Sequence, residues 1–289
     1  MKFSRKVIGL IVLAALLFSL CACGGGETAV SEDGIVVAVS IVPEETFVKA
    51  VCGELVDTVV MIPPGYSPES YEPTPQEMVS FSKAAVYFTI GVPSEEQGIL
   101  PAAGKATKVV PLHEICARTC EELQIDGGRD PHIWLSPRRA AVMVQAIADE
   151  MSALDTENAE TYNANAKSYI AELEAVDAEL EQMLSGLGER SFIVFHPSFG
   201  YFAGDYGLEM LALEEHGKEA TAERLAELTD YARDHGIKVI FHQAEVDSRQ
   251  SAAFAEEIGG KAVKLDPLSG DYIDNLKAMA RAIVEGVGQ

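Results

Sequence analysis

Residues 155–187 (DTENAETYNANAKSYIAELEAVDAELEQMLSGL) decide the fold, because they predict one long helix in the middle of a chain of 289 residues. Apolar side chains recur there at alternating steps of four and three, which places them in a narrow stripe on one helix face. Asp155 can cap the start of this helix and Gly188 can end it. A linking helix over 155–187 would be roughly 45–50 Å long. The stripe consists of Tyr162, Ala166, Tyr169, Leu173, Val176, Leu180, Met183 and Leu187.

The stripe has two explanations, a strut inside one molecule or the seam of a coiled-coil dimer. Alanine and tyrosine occupy several of its positions, and both are poor residues for an interlocked seam. We therefore expect a rigid intramolecular helix in a monomeric protein.

Strand-like and helical segments alternate on both sides of this helix, which is typical of parallel sheets covered by helices. We expect an α/β protein with two lobes, each a small parallel sheet flanked by helices. The N-terminal lobe covers 35–154 and the C-terminal lobe covers 188–289. The apolar, β-branched runs that predict strands are Ile35–Val42, Val56–Ile62, Ala85–Ile90, Lys108–Leu112, Ser191–Phe195, Glu209–Leu213, Lys238–Phe241 and Ala262–Leu265.

The first residues predict a lipoprotein signal peptide over 1–22. Lys2, Arg5 and Lys6 precede an apolar run that has the length of a secretory core and is short for a membrane span. The Leu-Cys-Ala-Cys that ends this run resembles a bacterial lipobox, which predicts lipidation at Cys23; an ordinary signal peptide containing cysteine is the alternative. A Gly-rich flexible tether over 23–34 follows. We therefore expect an extracytoplasmic protein, anchored to the cell membrane by a lipidated Cys23.

The chain is strongly acidic, with a formal net charge of −23 at pH 7. Loss of the three positive residues of the signal peptide changes this charge to −26. We expect no nucleic-acid partner, because phosphate binding needs a basic face. The sequence also has no His-Glu-x-x-His and no Gly-x-Ser-x-Gly motif, so we expect a protein that is not an enzyme. A lipid-anchored metallohydrolase is the less favoured alternative.

Three candidate metal ligands stand in fixed positions. His132 lies on a stiff turn in the segment DPHIWLSP (130–137), just before a helix that Ser136 can cap. His196 and Asp266 each follow a predicted strand directly. Ligands of parallel α/β sheets bind beyond the carboxyl ends of the strands, so this is the place where metal-binding side chains are expected.

A fourth candidate comes from the Pro-rich loop 63–75, which follows another predicted strand. Its prolines and a capping box at 74–77 present Glu69 or Glu72 in a fixed direction. Two imidazoles and two carboxylates form a plausible closed, four-coordinate zinc site. The same ligands can hold manganese or ferrous iron, because carboxylate oxygen suits harder ions.

Five segments carry a family resemblance: SPESYEPTP (67–75), IGVP (90–93), DPHIWLSP (130–137), FHPSFGYFA (195–203) and LDPL (265–268). In this order and spacing they resemble the zinc and manganese substrate-binding lipoproteins of bacterial metal ABC transporters, the zinc-uptake and TroA-like family of solute-binding proteins. The resemblance covers nearly the whole mature chain. It implies two lobes joined by a long helix, a divalent ion, zinc or alternatively manganese, in the cleft between them, and a membrane permease as partner.

Carried over residue by residue, the resemblance implies that His132 and His196 are the second and third histidine ligands. It implies that Asp266 is the aspartate ligand of the C-terminal lobe. The chain departs from the family at Glu69, where members usually have histidine. Glutamate can also bind zinc, but this change makes the site harder and favours manganese more than the family pattern does.

Overall fold

Two four-stranded parallel sheets form the framework of the protein. The computed structural model describes residues 34–125, 127–215, 217–245 and 249–287. The predicted signal peptide over 1–22, the lipidation site at Cys23 and the tether up to residue 33 lie outside these ranges. Within them, no helix combines the length and the apolarity that crossing a membrane requires.

The first sheet is built by the N-terminal half of the chain and the second sheet by the C-terminal half. The first has the strand order β2-β1-β3-β4 and the second has the order β10-β9-β7-β8, and a short antiparallel pair β5-β6 lies between them in sequence. The strands are β1 (Ile35–Val39), β2 (Val56–Val60), β3 (Val86–Thr89), β4 (Lys108–Pro111), β5 (Gln124–Ile125), β6 (Gly128–Arg129), β7 (Ser191–Val194), β8 (Glu209–Ala212), β9 (Val239–Gln243) and β10 (Lys261–Leu265).

Helices connect the parallel strands and cover the sheets. Short irregular turns at 53–55, 95–99, 100–102 and 133–135 add to them. The helices are α1 (Val42–Cys52), α2 (Pro75–Phe81), α3 (Leu112–Cys116), α4 (Pro137–Leu154), α5 (Ala159–Ser185), α6 (Gly200–Asp205), α7 (Ala222–His235), α8 (Arg249–Glu257) and α9 (Tyr272–Val287).

The predicted fold class, two helix-flanked parallel sheets with one long helix between them, is confirmed. Every predicted strand is present. The central strands β3 and β7 are buried along their whole length. Continuous apolar runs of this kind are what strands with two covered faces require.

The long linking helix is α5, whose 27 residues span about 40 Å. It begins after Asn158 and ends at Gly186. The prediction that Asp155 caps its start was wrong, because Asp155 directly follows the end of α4 and Asn158 occupies the N-cap position of α5. The carboxylate of Asp155 instead accepts hydrogen bonds from Asn158 Nδ2 (2.7 Å) and from the hydroxyl of Tyr162 (2.8 Å). Asp155 therefore stabilises the turn between two helices.

The apolar stripe of α5 packs inside the molecule. Helices α1, α4 and α9 lie against α5, so intramolecular packing explains the stripe without a coiled coil. One cluster of buried apolar side chains includes residues of both sheets and of this helix. The lobe boundaries at 35–154 and 188–289 stay a prediction. The buried residues of α5 are Tyr162, Ala166, Leu173, Val176, Leu180 and Leu184.

Three aromatic side chains fix the segment after β10 to the N-terminal half. The indole Nε1 of Trp134 donates a hydrogen bond to the carbonyl of Pro267 (2.8 Å). The hydroxyl of Tyr272 donates to the carbonyl of Trp134 (2.5 Å). The rings of Tyr272 and Phe47 meet edge to face, with centroids 4.9 Å apart. All three aromatic residues are buried, so this contact holds the two halves together beside α5.

The substitution Tyr272→Phe tests this contact, because it removes one hydroxyl and leaves the buried carbonyl of Trp134 without that donor. We expect the free energy of unfolding to fall by about 1–3 kcal/mol, measured by urea denaturation. Tyr66→Phe is the matched control, since Tyr66 is 54% exposed, and it should change stability by less than about 0.5 kcal/mol. An equal effect of both substitutions would contradict the role given to Tyr272.

Candidate metal centre

His132 is fixed at the turn between β6 and α4. Its backbone N–H donates to Oδ1 of Asp130 (2.9 Å), and its ring Nδ1 lies 2.8 Å from the same oxygen. The predicted cap of α4 is confirmed, since Ser136 Oγ accepts from the backbone N–H of Arg139 (3.2 Å). The hydroxyl of Tyr201 also donates to the carbonyl of Asp130 (3.2 Å). With only 7% of its side chain exposed, the imidazole of His132 is held in one orientation.

The loop that carries Glu69 is held by Ser94. The backbone N–H of Ser94 donates to the carbonyl of Pro68 (3.1 Å). The backbone N–H of Tyr71 in turn donates to Ser94 Oγ (2.8 Å). The predicted capping box at 74–77 is confirmed and fixes the end of the loop at the start of α2. Since the side chain of Glu69 is 36% exposed, these backbone contacts rather than burial set its direction.

His196 lies at the carboxyl edge of the second sheet, where β7 is flanked by β8 and β9 in parallel register. Continuing that register two residues beyond Val194 places His196 level with Glu214 on one side and Gln243 on the other. The ladder does continue, because the backbone N–H of Glu214 donates to the carbonyl of Phe195 (2.9 Å). Residues at one level of neighbouring strands direct their side chains to the same face. This explains why Glu214 and Gln243 accompany His196.

Glu69, His132 and His196 converge on one point. Nε2 of His132 lies 3.3 Å from Nε2 of His196 and 3.7 Å from Oε1 of Glu69. One potential ligand atom from each residue lies within 4.8 Å of the other two. In a tetrahedral zinc site with bonds of about 2.0–2.1 Å, neighbouring ligand atoms are about 3.3–3.4 Å apart. The distance between the two imidazoles therefore has the value that two ligands of one zinc ion need.

Both imidazoles are oriented by a carboxylate on their far side. Nδ1 of His132 faces Asp130, and Nδ1 of His196 lies 3.0 Å from Oε1 of Glu214. An ionised carboxylate only accepts hydrogen bonds, so each neutral ring carries its proton on Nδ1. Two Nε2 lone pairs and the Glu69 carboxylate then face one another, which is unfavourable without a cation. Carboxylate–histidine pairs of this kind orient the ligands of zinc sites.

The carboxylates also change the proton affinity of His196. Burial, the largest single effect, lowers its pKa. The hydrogen bond and the charge of Glu214 raise it, and the charges of Glu69 and Asp130 add to that effect. The net result is a pKa for His196 above the ordinary value of 6.5. A proton therefore competes with a metal ion for this ring.

Two cavities adjoin the group. A small one of about 10 Å³ is lined by Glu69, His132, His196 and Gln243 together with apolar neighbours. Its volume is close to that of a single water-sized sphere. A second cavity of about 730 Å³ opens beside it and is lined by the same four side chains and by Arg129. The smaller space fits one ion, and the larger space gives solvent a route to it.

Asp266, the fourth predicted ligand, does not join this group. The residues whose potential ligand atoms lie within 4.8 Å of one another are Glu69, His132 and His196, and Asp266 is not among them. Its Oδ1 accepts a hydrogen bond from the backbone N–H of Leu268 (3.3 Å). Glu72, the alternative to Glu69, is exposed. Ligation by Asp266 stays a prediction.

No role was predicted from the sequence for three polar residues of the site. Asp130 lies two residues before His132, and Glu214 and Gln243 follow the predicted strands on either side of His196. The argument that selected His196, a polar residue at the carboxyl end of a strand, applies equally to Glu214 and Gln243. The order of the strands in the sheet was needed to place them beside His196.

Known proteins share this fold. A family model described as ZnuA, the periplasmic component A of zinc-uptake complexes, matches residues 37–286. The high-affinity zinc uptake system protein ZnuA of Bacillus subtilis (strain 168) is 30% identical over 313 residues, which cover 98% of each chain. A crystal structure of a ZnuA deletion mutant with zinc bound has a TM-score of 0.82 and 37% identity, covering 88% of this chain and 98% of that one.

A third relative is longer than this chain. The zinc-binding lipoprotein AdcA of Streptococcus pneumoniae serotype 4 (strain ATCC BAA-334 / TIGR4) is 29% identical over 294 residues, and the match covers 94% of this chain but 57% of AdcA. The predicted resemblance is confirmed by these matches. The chain belongs to the family of periplasmic zinc-uptake components typified by ZnuA, whose members are solute-binding proteins and not enzymes.

Proposed function

We propose that this chain is the extracytoplasmic substrate-binding protein of a metal ABC transporter. It captures a divalent ion with Glu69, His132 and His196 and delivers the ion to the membrane permease. Zinc is the favoured cargo, supported by the family match and by the names of the relatives. Manganese is the alternative cargo, because Glu69 supplies a hard oxygen ligand.

The observation that carries this proposal is the pair of facing imidazoles. Their Nε2 atoms are 3.3 Å apart, while the carboxylates of Asp130 and Glu214 hold the opposite nitrogens. A neutral pair would place two lone pairs against each other, and a bound cation removes this repulsion. The same arrangement keeps both rings ready to bind without reorientation.

Capture couples the two halves of the chain. Glu69 and His132 belong to the first half and His196 to the second, so a bound ion bridges them. The contact of Trp134 with Pro267 and the long helix α5 restrict the motion between the halves. We therefore propose that loading and release use small tilts and loop shifts rather than wide opening.

Attachment to the membrane completes the proposed role. The sequence predicts a lipid on Cys23, and the relative AdcA is described as a lipoprotein. A lipid anchor and a flexible tether would keep a monomeric carrier close to its permease, which raises the effective concentration of one for the other.

Replacing either histidine tests the ligand set. His132→Ala and His196→Ala should each weaken zinc binding by about a hundredfold or more, since even the partners of zinc ligands contribute about 10–100-fold. Competition with a chelating indicator measures the affinity. His235→Ala is the matched control, because His235 is exposed on α7 and stacks on Tyr231. Unchanged zinc and manganese affinity in both variants would remove this assignment.

Replacing Glu69 tests the choice of ion. Glu69→His exchanges an oxygen ligand for a softer nitrogen ligand, so the ratio of zinc affinity to manganese affinity should rise. Parallel titrations with Zn²⁺ and Mn²⁺ measure this ratio. Glu72→His is the control, since Glu72 lies on the same loop but is exposed. A ratio that stays the same in Glu69→His would mean that Glu69 is not a ligand.

Acid should weaken zinc binding. Because the pKa of His196 is raised, zinc affinity should be constant well above that pKa and should fall as the pH drops through it. Glu214→Gln removes the main cause of the raised pKa, so the loss should move to lower pH. Zinc titrations at a series of pH values measure both curves. An affinity that stays constant from about pH 8 to pH 5 would contradict the model of histidine ligation.

A further inference from the structure

Gln243 is a mostly buried residue that lines both cavities of the site, and its carboxamide has no hydrogen-bond partner among the described residues. Only 9% of the residue is exposed. Its backbone carbonyl lies 3.3 Å from Nδ1 of the neighbouring His242, but its carboxamide is paired with no group in the part of the chain that the structure describes. The carboxamide borders these cavities instead of packing against a protein group, so a molecule or an ion in the cavity can be its partner. We therefore ask which bound ligand could contact the carboxamide of Gln243.

The position of this carboxamide suggests what the partner is. Gln243 lines the ion-sized cavity of about 10 Å³ together with Glu69, His132 and His196. It ends β9 at the level of His196, which lies two residues beyond the end of the neighbouring strand β7. The register that directs His196 toward the cavity therefore directs Gln243 there as well.

We propose that the amide oxygen of Gln243 is the fourth ligand of the captured ion, in the place where the family resemblance implies Asp266. This inference rests on the proposed function of metal capture. An amide oxygen has two lone pairs and binds divalent cations. With Glu69, His132 and His196 it gives two nitrogen and two oxygen ligands, which is a closed tetrahedral set for zinc. A closed set leaves no position for the water that a catalytic zinc ion needs.

The neutral ligand has a consequence for how firmly the ion is held. Glu69 is the one carboxylate among the four proposed ligands, so a bound divalent ion keeps one formal positive charge. An aspartate in place of the amide would neutralise that charge. Affinity in metal sites rises with the number of charged ligands. With Gln243 as a ligand, the site therefore binds the ion more weakly than it would with a second carboxylate. A lower affinity suits a protein that must release its cargo.

Two substitutions of Gln243 test the proposal in the full chain. Gln243→Ala removes the ligand and should weaken Zn²⁺ binding roughly tenfold, whereas Gln243→Glu adds a charge at the same place and should tighten it roughly tenfold. Zn²⁺ titrations against a chelating indicator measure both affinities. Co²⁺ is the second probe, because its visible absorption reports the number and the geometry of its ligands. Gln243→Ala should change the Co²⁺ spectrum, which a merely structural residue would not do.

Two further variants complete the design. Gln182→Ala is the matched control, since Gln182 is exposed on α5 far along the chain from the site, and Asp266→Ala is measured in parallel. Unchanged Zn²⁺ affinity and an unchanged Co²⁺ spectrum in Gln243→Ala would overturn the proposal. A changed spectrum in Asp266→Ala but not in Gln243→Ala would overturn it in favour of the aspartate.

The outcomes separate this inference from the proposed function. If Gln243→Ala does not fold, the nearly isosteric Gln243→Glu decides, and wild-type affinity with a wild-type Co²⁺ spectrum in that variant overturns the proposal. Failure of the proposed function itself would be seen elsewhere, as full zinc affinity in His132→Ala and His196→Ala. Loss of zinc binding in the histidine variants with no effect at Gln243 rejects the fourth ligand alone.

Discussion

The interaction on which the other features of the structure depend is electrostatic. The Nε2 atoms of the imidazoles of His132 and His196 face each other at 3.3 Å. Neutral imidazoles attract each other in this arrangement only if one of them donates a proton, and the carboxylates of Asp130 and Glu214 keep both protons on the opposite nitrogens. The arrangement is therefore favourable with a cation between the rings and unfavourable without one. The turn at 130–137, the loop at 63–75 and the carboxyl edge of the second sheet fix the side chains in that geometry.

The rest of the fold makes this geometry rigid. The buried stripe of α5 joins the cores beneath both sheets, and the contact of Trp134 with Pro267 and Tyr272 fixes the segment after β10 to the N-terminal half. Ligands on separate halves of the chain can then stay within bonding distance of one ion. Rigid positioning of this kind reduces the cost of ordering the ligands on binding.

Charge and affinity are balanced within the site. Asp130 and Glu214 pair with the Nδ1 atoms of the two histidines and orient the imidazoles, and Glu214 also raises the pKa of His196. Among the three residues whose ligand atoms converge, Glu69 alone is an acid. A site with few charged ligands and well-oriented neutral ones can be selective without holding its ion irreversibly. This combination is what a carrier requires, since it must both capture and release.

The sequence by itself determined the α/β class, the position of each main strand, the long helix and the local geometry of the 130–137 turn and the 74–77 capping box. These features depend on neighbouring residues, through periodicity, burial of apolar runs and capping. It also selected His196 and Asp266 as polar residues after strands, His132 as a residue on a stiff turn before a helix, and Glu69 or Glu72 on a Pro-rich loop, with Glu69 singled out by the family resemblance. Only the tertiary structure decided which of these side chains meet. Strand order set Glu214 and Gln243 beside His196, and the ligand atoms that converge are those of Glu69, His132 and His196 without Asp266. Contacts between residues so distant in sequence depend on the register of whole sheets, which no local pattern specifies.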